Sequence, residues 1–593
     1  MSFHGERAAS GPLTLGQLNV LLWAQGETAG GAVLCQDVDV AGRSLDEVTT
    51  AIGQLVGRHE SLRTRFAVNS SGEWKQLVSA SGELLAEICA ADDLPGSTVA
   101  LALDSMRQRL GGKPFTLDSE WPLRVAVITS GGAPVKVLLA VTHMVADFAS
   151  LGIVAREIGQ LLAFGSGQAL EPATCQPLDQ AELEAAPSRK RRAETALRHW
   201  ESVLRSTPQC MFAVPERTAP ADPPQLAVMY SRAASIALAG IAERTQASQS
   251  SAIVAAIATL LGIYTANDRC QITAICANRF SPASRDFVGT IAQDAIVALD
   301  LNAGTFDEVI RGSRGATLTA YRCAQYDAAK LWATIDQVNE DRGTKFHRDC
   351  ILNDVFIVDS PAMSAQMDVS GRAPAPGDTV SAMRDTELIW VDVEPWPVLF
   401  YFVVRKMGER DVGLSLWADP LRMPRAEVER FLRGIERLLV AAAQRDIPVG
   451  EVSELTGIEP VSRDPAWLRI DRCWVELPAV QRLVDDAVAA VSGLGAGRVF
   501  SVRDADGAET LVAYAAIPGG AGPERLHAEC MQRLPGRFTA MTPARYVICD
   551  RLPEDPDRIE SWQRLPFLAE GSGRSPASVL ATVGGAVKAG AGN

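Results

Sequence analysis

The chain has 593 residues, of which 47% are hydrophobic and 22% charged, and its net charge is −14. That length exceeds what one hydrophobic core supports and divides into three or four units of ordinary domain size. The acidic balance excludes nucleic acid as the main partner, because neutralising phosphates needs clustered Lys and Arg. The 11 cysteines form neither a C-x-x-C pair nor a His/Cys cluster at metal-ligand spacing, so they predict buried thiols in a reducing cytoplasm, with no zinc site and no disulfide framework. The N-terminus lacks the basic and apolar regions of a signal peptide. The most apolar segment, 252–266, is too short to span a bilayer and predicts a buried helix rather than a membrane partner.

In chain order, residues 12–23 predict a loop running into a helix with Thr14 as N-cap. Leu45, Val48, Ile52, Leu55 and Val56 recur on one face of a helix that ends near His59. The block R58-H-E-S-L-R-T-R-F66 that follows is a polar helix end turning into a strand, and His59, Glu60 and Arg63 most simply form structural ion pairs there. Residues 123–128 predict a further strand.

The run V135-K-V-L-L-A-V141, with β-branched residues at 135, 137 and 141, predicts a buried strand that delivers His143 at its end. If residues 143–147 stayed extended, His143 and Asp147 would stand about 13 Å apart at roughly 3.3 Å per residue. A turn instead brings Asp147 back beneath the imidazole, where it orients the loop rather than reacting. Helical spacing resumes at Phe148, so the unit is strand, His-bearing loop, helix. An H-x-x-x-D spacing arises often by chance, and a His at a strand end is more commonly structural than catalytic.

Residues 165–188, rich in Gly, Pro, Ser and Ala, predict a crossover between two lobes. The basic run Arg189-Lys190-Arg191-Arg192 heads an amphipathic helix ending near Leu204; it is first a solvated face and second a landing patch for an acidic protein. The second lobe then supplies the 252–266 helix, strands at 271–276, 288–301, 355–358, 398–404 and 413–417, and a closing helix at 425–443.

Four blocks, in this order and spacing, resemble the condensation domains of nonribosomal peptide synthetases, within the H-x-x-x-D acyltransferase superfamily. R58-H-E-S-L-R-T-R-F66 matches the family motif R-H-E-x-L-R-T-x-F at every fixed position. T14-L-G-Q17 with Trp23 is similar to S-x-A-Q-x-R-x-W, with Asn19 where a charged residue is usual. T142-H-M-V-A-D-F148 resembles H-H-x-x-x-D-G, and V288-G-T-I-A-Q-D294 resembles V-G-x-F-V-N-T.

The resemblance implies an α/β fold: a two-lobed, chloramphenicol-acetyltransferase-like pseudo-dimer forming a V-shaped cleft. One lobe would span residues 1–175 and carry the active-site loop; the other would span 176–457. It implies that His143 is catalytic, that Asp147 is structural and pairs with Arg279 of A277-N-R-F280, and that Arg58, His59, Arg63, Gln17 and Gln293 belong to the cleft or its motifs. Two departures fall in the active-site loop. Thr142 replaces the first His, at a position that is mainly structural in the family. Phe148 replaces the Gly, which strains the backbone if φ > 0 is required there and narrows the acceptor side of the site. Gln293 and Asp294 alter the groove lining.

Residues 458–570 carry a second resemblance, to the small C-terminal subdomain of adenylation domains, an α/β unit with a three-stranded sheet. S462-R-D-P-A-W467 and L468-R-I-D-R-C-W-V-E-L477 match its opening in a degenerate form, and segments 509–517, 534–547 and 552–556 continue the pattern. Pro465 and Arg472 stand where the family has a hinge Asp and a loop Gly, and D557-R-I-E-S561 lacks the terminal Lys. The resemblance therefore implies a relic retained for packing or docking. The tail 571–593, rich in Gly, Ala and Ser, predicts disorder.

The functional expectation is a free-standing condensation enzyme that joins an acyl or aminoacyl thioester to an amine. No cofactor is bound by the chain itself. The thioester arrives on the phosphopantetheine arm of a separate carrier protein, because no G-G-x-S carrier site is present. An alcohol acceptor, giving an ester, uses the same scaffold. A non-catalytic module that recruits carrier proteins is the alternative of a different class, and epimerisation ranks below these.

Overall fold

A computed structural model describes residues 1–24, 33–93, 98–164, 170–217, 222–354, 376–407, 411–493, 495–503, 507–517 and 521–574. The predicted strand at 355–358 and the tail beyond residue 574 lie outside them.

The first lobe is built on a four-stranded sheet in the order Val33–Asp39, Ala133–Thr142, Leu123–Ser130, Ala86–Ala90. The strand that leads to His143 is an interior one. Its residues 137–141 are at most 1% exposed, which is why the sequence there is a continuous apolar run instead of an alternating one. Val137, Leu139 and Val141 pack on one face with helices Leu45–Arg58 and Phe148–Phe164. Leu138 and Ala140 pack on the other, against Ala102, Met106 and Leu110 of helix Val99–Gly111. Helix Leu45–Arg58 starts on a capping box, with Ser44 and Glu47 each bonding the other's backbone N–H.

Helix Leu15–Ala24 starts the same way. Thr14 Oγ1 accepts the Gln17 N–H at 3.1 Å, and Gln17 Oε1 accepts the Thr14 N–H at 2.9 Å. The crossover is more ordered than its composition predicts: Pro177–Ala185 is a helix, begun by Pro at its first turn and by reciprocal bonds between Gln176 and Asp179. The basic run lies exposed in the first turns of helix Pro187–Ser206.

The second lobe has a seven-stranded sheet in the order Gln293–Asp300, Arg269–Cys276, Cys350–Asp354, Phe400–Met407, Asp411–Ala418, Gln225–Ser231, Glu387–Asp392. Helix Gln249–Thr265 is buried almost throughout its length and packs with helix Arg425–Gln444 in the core of this lobe. Among the described residues no single helix is long and apolar enough to cross a membrane. Helices Arg232–Thr245 and Gln249–Thr265 reach that threshold only together, across a 105° bend. The strand predicted at 288–301 begins five residues later, at Gln293, because residues 288–291 form a loop that reaches the first lobe.

The C-terminal unit has a core of its own around Val480, Leu483, Ala513 and Leu526. Its main sheet has four strands where three were expected, in the order Ala496–Arg503, Glu509–Ala516, Arg545–Cys549, Phe567–Gly571. The additional edge strand pairs antiparallel with Arg545–Cys549 across a register shift. A separate hairpin, Trp467–Ile470 with Cys473–Glu476, turns through Asp471 and Arg472 at φ of 46° and 65°. Two-residue hairpin loops demand this conformation, which favours Gly. It is held here by Arg342 of the second lobe, whose guanidinium donates to the Asp471 carboxylate at 2.7 Å and to its carbonyl at 3.0 Å.

The unit is bonded to the second lobe along a long seam. Gln209 Nε2 donates to the Ala540 carbonyl at 2.8 Å, and Trp474 Nε1 donates to the Ala266 carbonyl at 3.0 Å. Arg463 lies 4.4 Å over the Trp474 ring and donates to the carbonyls of Ala213 and Thr265, both at 2.9 Å. The Arg463→Ala variant is expected to loosen this seam by about 2 kcal/mol, through two orphaned carbonyls and a lost cation–π contact. Amide exchange should accelerate in Trp467–Ile470 and Cys473–Glu476 while the first-lobe sheet is unchanged; unaltered exchange in the hairpin would show that other contacts hold the unit.

Candidate active site

The strand Ala133–Thr142 ends where Thr142 closes a turn: its carbonyl accepts the Val145 N–H at 3.0 Å, and its hydroxyl faces the Met144 N–H at 3.4 Å. Thr142 is buried and acts on backbone only. These bonds also occupy two N–H groups after the turn, so Met144 and Val145 are not free to hold an oxyanion.

His143 sits on this turn, half-buried, with the Trp23 ring edge-on at a centroid distance of 6.5 Å. Burial holds its pKa below the ordinary value, opposed by its own carbonyl, by the Asp147 carboxylate and by the Ala146 carbonyl. The imidazole is therefore neutral at neutral pH, the form that accepts a proton. Nδ1 has no partner in hydrogen-bond geometry.

Asp147 is buried and performs two jobs with one carboxylate. As N-cap of helix Phe148–Phe164, its Oδ1 accepts the Ser150 N–H at 2.9 Å. The same oxygen accepts from Arg279 Nη2 at 2.6 Å, and Oδ2 accepts the Ile291 N–H at 3.3 Å. Burial pushes this carboxyl up, but the Arg279 guanidinium and the Ser150 donors outweigh it and hold the group below its ordinary range.

Arg279 reaches this point because Asn278 before it adopts φ of 56° and is fixed by bonds from its Nδ2 to the carbonyls of Ile291 and Ala324, at 2.9 and 2.6 Å. Beyond Asp147, Arg279 donates to the carbonyls of Ser284 and Phe287 at 2.9 and 2.6 Å. Ser150, absent from the sequence-based site, accepts the Gly289 N–H at 3.1 Å. Its hydroxyl lies 2.8 Å from the Gly289 carbonyl and 2.9 Å from Asp147 Oδ1, so its one proton serves one of them at a time. A hydroxyl at the third helical position after an Asp N-cap is the signal that marks it.

Thr290 was missed as well. Its hydroxyl donates to the His143 carbonyl across the lobes, and its own carbonyl faces Thr14 Oγ1 at 3.4 Å. A Cβ at Gly16 would stand 2.2 Å from that carbonyl, so only Gly lets helix Leu15–Ala24 come this close.

The residues assigned to the cleft or its motifs are engaged in bonds of their own, those of His59 and Arg58 being the structural pairs that the sequence suggests. Gln17 is 1% exposed, engaged in the cap of its own helix and 3.3 Å from Gln76. His59 Nε2 contacts Glu157 at 2.6 Å, and Arg58 Nε donates to the same oxygen at 3.0 Å. Glu157 is nine residues along the helix from Phe148, roughly 13 Å at 1.5 Å per residue, so this pair is remote from His143. Arg63 is buried, donating to the carbonyls of Arg7 and Ser79 at 2.8 and 2.5 Å. Arg58, His59 and Arg63 of the R58-H-E-S-L-R-T-R-F66 block therefore act as a brace.

Gln293, expected to line the groove, bonds the backbone of Tyr326 on both sides, at 2.9 and 3.3 Å, and is buried. Asp294 forms a two-pronged pair with Arg348 at 2.6 and 2.7 Å. Phe148 is not strained: it is the first residue of a helix, has no positive φ, and leaves its side chain 53% exposed. A Gly requirement at this position therefore does not apply.

Arg279→Ala leaves a buried carboxylate without its cation and is expected to cost about 3–5 kcal/mol. In the wild type the pair's contribution is full above the ordinary Asp value of about 3.9 and is lost as pH falls through the depressed one. Urea titrations between pH 7 and 3 should show lower stability in the variant at pH 7 and a shallower loss towards acid; equal stabilities at pH 7 would rule the pair out as the anchor.

The family model for the condensation domain matches residues 41–355. The AMB antimetabolite synthetase AmbB of Pseudomonas aeruginosa is 28% identical over 254 residues, 42% of this chain and 20% of that protein. Bacitracin synthase 3 of Bacillus licheniformis is 27% identical over 180 residues, 30% of this chain and 2% of that protein. The chain thus spans a fifth or less of the length of these curated relatives. Among solved structures, the condensation domain of the Monacolin K polyketide synthase MokA superposes with a TM-score of 0.57 at 15% identity, covering 75% of this chain and all of that one (100%). The X-domain from teicoplanin biosynthesis gives 0.56 at 19% identity, covering 76% and 98%. These likenesses establish the two-lobed fold, and with the match over residues 41–355 the chain belongs to the condensation-domain family of nonribosomal peptide synthetases.

Proposed function

We propose that this protein is a condensation enzyme that joins an acyl or aminoacyl thioester, presented by a phosphopantetheine-bearing carrier protein in trans, to an amine acceptor. The observation that supports this most is the division of labour in the loop. Asp147 is fully occupied by Arg279, Ser150 and Ile291, while His143 stays neutral and half-buried at the lobe junction.

The amine nitrogen attacks the thioester carbonyl, and His143 takes the proton that the nitrogen loses. The C–S bond then breaks, and the proton passes to the departing thiolate, which leaves as the carrier's thiol. General-base assistance of this kind contributes about 10²–10⁴-fold, and holding both reactants in one cleft adds at least as much. The chain supplies no cofactor in this scheme. Its part is to orient the two substrates and to move one proton. An alcohol acceptor follows the same path to an ester.

A module that recruits carriers without turnover is the second reading, favoured by the exposed Phe148 and by a C-terminal unit that is held by packing. Against it stands the tripartite arrangement of His143, Asp147 and Arg279, which carrier recruitment alone does not need.

His143→Ala is expected to abolish product while the fold is retained; substantial residual turnover rejects the catalytic assignment. Because burial lowers the pKa of His143, and the base must be neutral, the acid limb of kcat/KM in the wild type is expected to have its midpoint below about 6.5. Loaded carrier offered an amine and an alcohol in parallel, with products identified by mass, decides between amide and ester. Carrier binding without product from either acceptor supports the recruiting module.

A further inference from the structure

The basic run Arg189-Lys190-Arg191-Arg192 stands where the fold gains least from it. It opens helix Pro187–Ser206, at the positive end of the helix dipole, and the first turn there holds no acidic residue. Nor does the run end with its own helix. Arg189 Nη1 donates to Gln325 Oε1 at 3.3 Å. Burial pushes the Cys323 thiol up and the Arg192 guanidinium opposes it, so both arginines reach the end of helix Phe306–Arg322.

On that helix Arg311, Arg314, Leu318 and Arg322 recur at i, i+3, i+7 and i+11, which is one face about 16 Å long at 1.5 Å per residue. All four are exposed, Leu318 by 50%, while Val309, Ile310 and Ala320 of the opposite face are buried in the core. Neither 185–193 nor 309–326 contains an Asp or Glu, so seven cations adjoin without a carboxylate in either stretch, on a chain of net charge −14. The acidic residues that bound these stretches are engaged already. Glu184 accepts from Gln180 Nε2 and the Leu15 N–H, both at 2.7 Å. Asp327 caps its own helix, accepting the N–H groups of Ala329 and Lys330 at 3.0 and 3.2 Å. Such crowding of like charge is unfavourable in the chain alone and becomes favourable against a negative surface.

Beside the arginines the same helix carries Gly312, Gly315 and Thr319. Both glycines are exposed, neither has a positive φ, and a Cβ at either would meet nothing within 4 Å. The chain's own packing therefore requires neither, and a Gly inside a helix weakens it relative to Ala. What they provide is a shallow strip on which a second backbone can come close.

We propose that this face of the second lobe receives an acidic amphipathic helix of a partner protein. Carboxylates at helical spacing face the arginines, small residues lie along Gly312 and Gly315, and an apolar side chain meets Leu318. An anionic lipid surface takes up an apolar face, of which Leu318 alone is present here, and a phosphate backbone makes no use of the glycine strip. The inference does not depend on the role of His143.

The probe is a fluorescein-labelled peptide of about 20 residues, long enough to be helical, with Glu along one face and Ala and Leu beside it. Titrated with the full chain, its anisotropy is expected to show saturable binding. Arg311→Glu with Arg322→Glu should weaken that binding by about tenfold or more; Arg311→Gln with Arg322→Gln gives the same comparison if the Glu variant does not fold. Raising salt from about 0.1 to about 1 M, which shortens the Debye length from roughly 10 to roughly 3 Å, should weaken it likewise. Gly315→Leu separates docking from folding. It is expected to keep or raise Tm, Leu being the better helix former, and still to lose about tenfold in affinity by filling the strip. Arg564→Glu, an exposed position on the C-terminal unit, should change nothing.

Absence of saturable binding overturns the proposal, as does equal binding of a peptide of the same composition in scrambled order. Unchanged affinity in Gly315→Leu or in the double arginine variants overturns it as well. If single-stranded DNA or phosphatidylserine vesicles bind more tightly than the peptide and depend on Arg311 and Arg322, the face belongs to a polyanion and no helix docks there.

Discussion

The ion pair between Asp147 and Arg279 is the constraint from which the rest of the site follows. It joins residues 132 positions apart at 2.6 Å in a buried setting, where an unpaired charge is costly and a misplaced one is hardly better. To satisfy it, the chain must turn after the strand Ala133–Thr142, begin a helix at Phe148, and bring the second lobe to within hydrogen-bonding reach of the first. Each of these conditions also places His143. The carboxylate is too heavily engaged to take part in chemistry, and that engagement is what assigns the histidine the reactive role in the proposed reaction.

The fold was legible wherever local pattern and tertiary role agree. Apolar runs located the strand before His143 and the buried helix Gln249–Thr265, Thr14 as a cap located the helix start at Leu15, and one-faced apolar spacing located the helix from Leu45. It was less legible where tertiary contacts override pattern. The segment from Val288 alternates like a strand, but Gly289, Thr290 and Ile291 give their backbone and side-chain groups to the first lobe instead of to a ladder. For the site, the motif named His143, Asp147 and Arg279, but motif membership said nothing of location. His59, Arg63 and Gln17 belong to the same motifs and are consumed in buried structural bonds. Ser150 is marked locally by its place after the Asp147 cap, but its bond to Gly289 and that of Thr290 to His143 join residues more than a hundred positions apart, and no short-range spacing encodes those contacts.

The C-terminal unit shows how resemblance and role part company. The pattern it resembles is that of a subdomain with a hinge, a flexible Gly-containing loop and a terminal Lys. Here Pro465 stiffens the hinge position, and the loop at Asp471 and Arg472 is gripped by Arg342. Two histidines on the seam, His347 and His527, are held neutral by burial, with pKa values lowered to about 4. A surface that had to part and re-form would not keep such groups dry. The unit is bonded to the second lobe through Gln209, Trp474 and Arg342.

The loop at Val288–Ile291 also imposes an order of events on synthesis. Asp147 and the Ile291 amide that it accepts are 144 residues apart, so at about 5–20 residues per second the His143 turn exists for roughly 7–30 s before its anchor is made. During that interval the first lobe can complete its sheet, since the strands of that sheet all lie before residue 143, but the histidine has neither Thr290 nor Arg279 to hold it. A chain halted between the lobes thus has the strands of its first sheet but neither Arg279 nor the Ile291 amide, and the His143 turn is anchored only once residues 279–291 have been made.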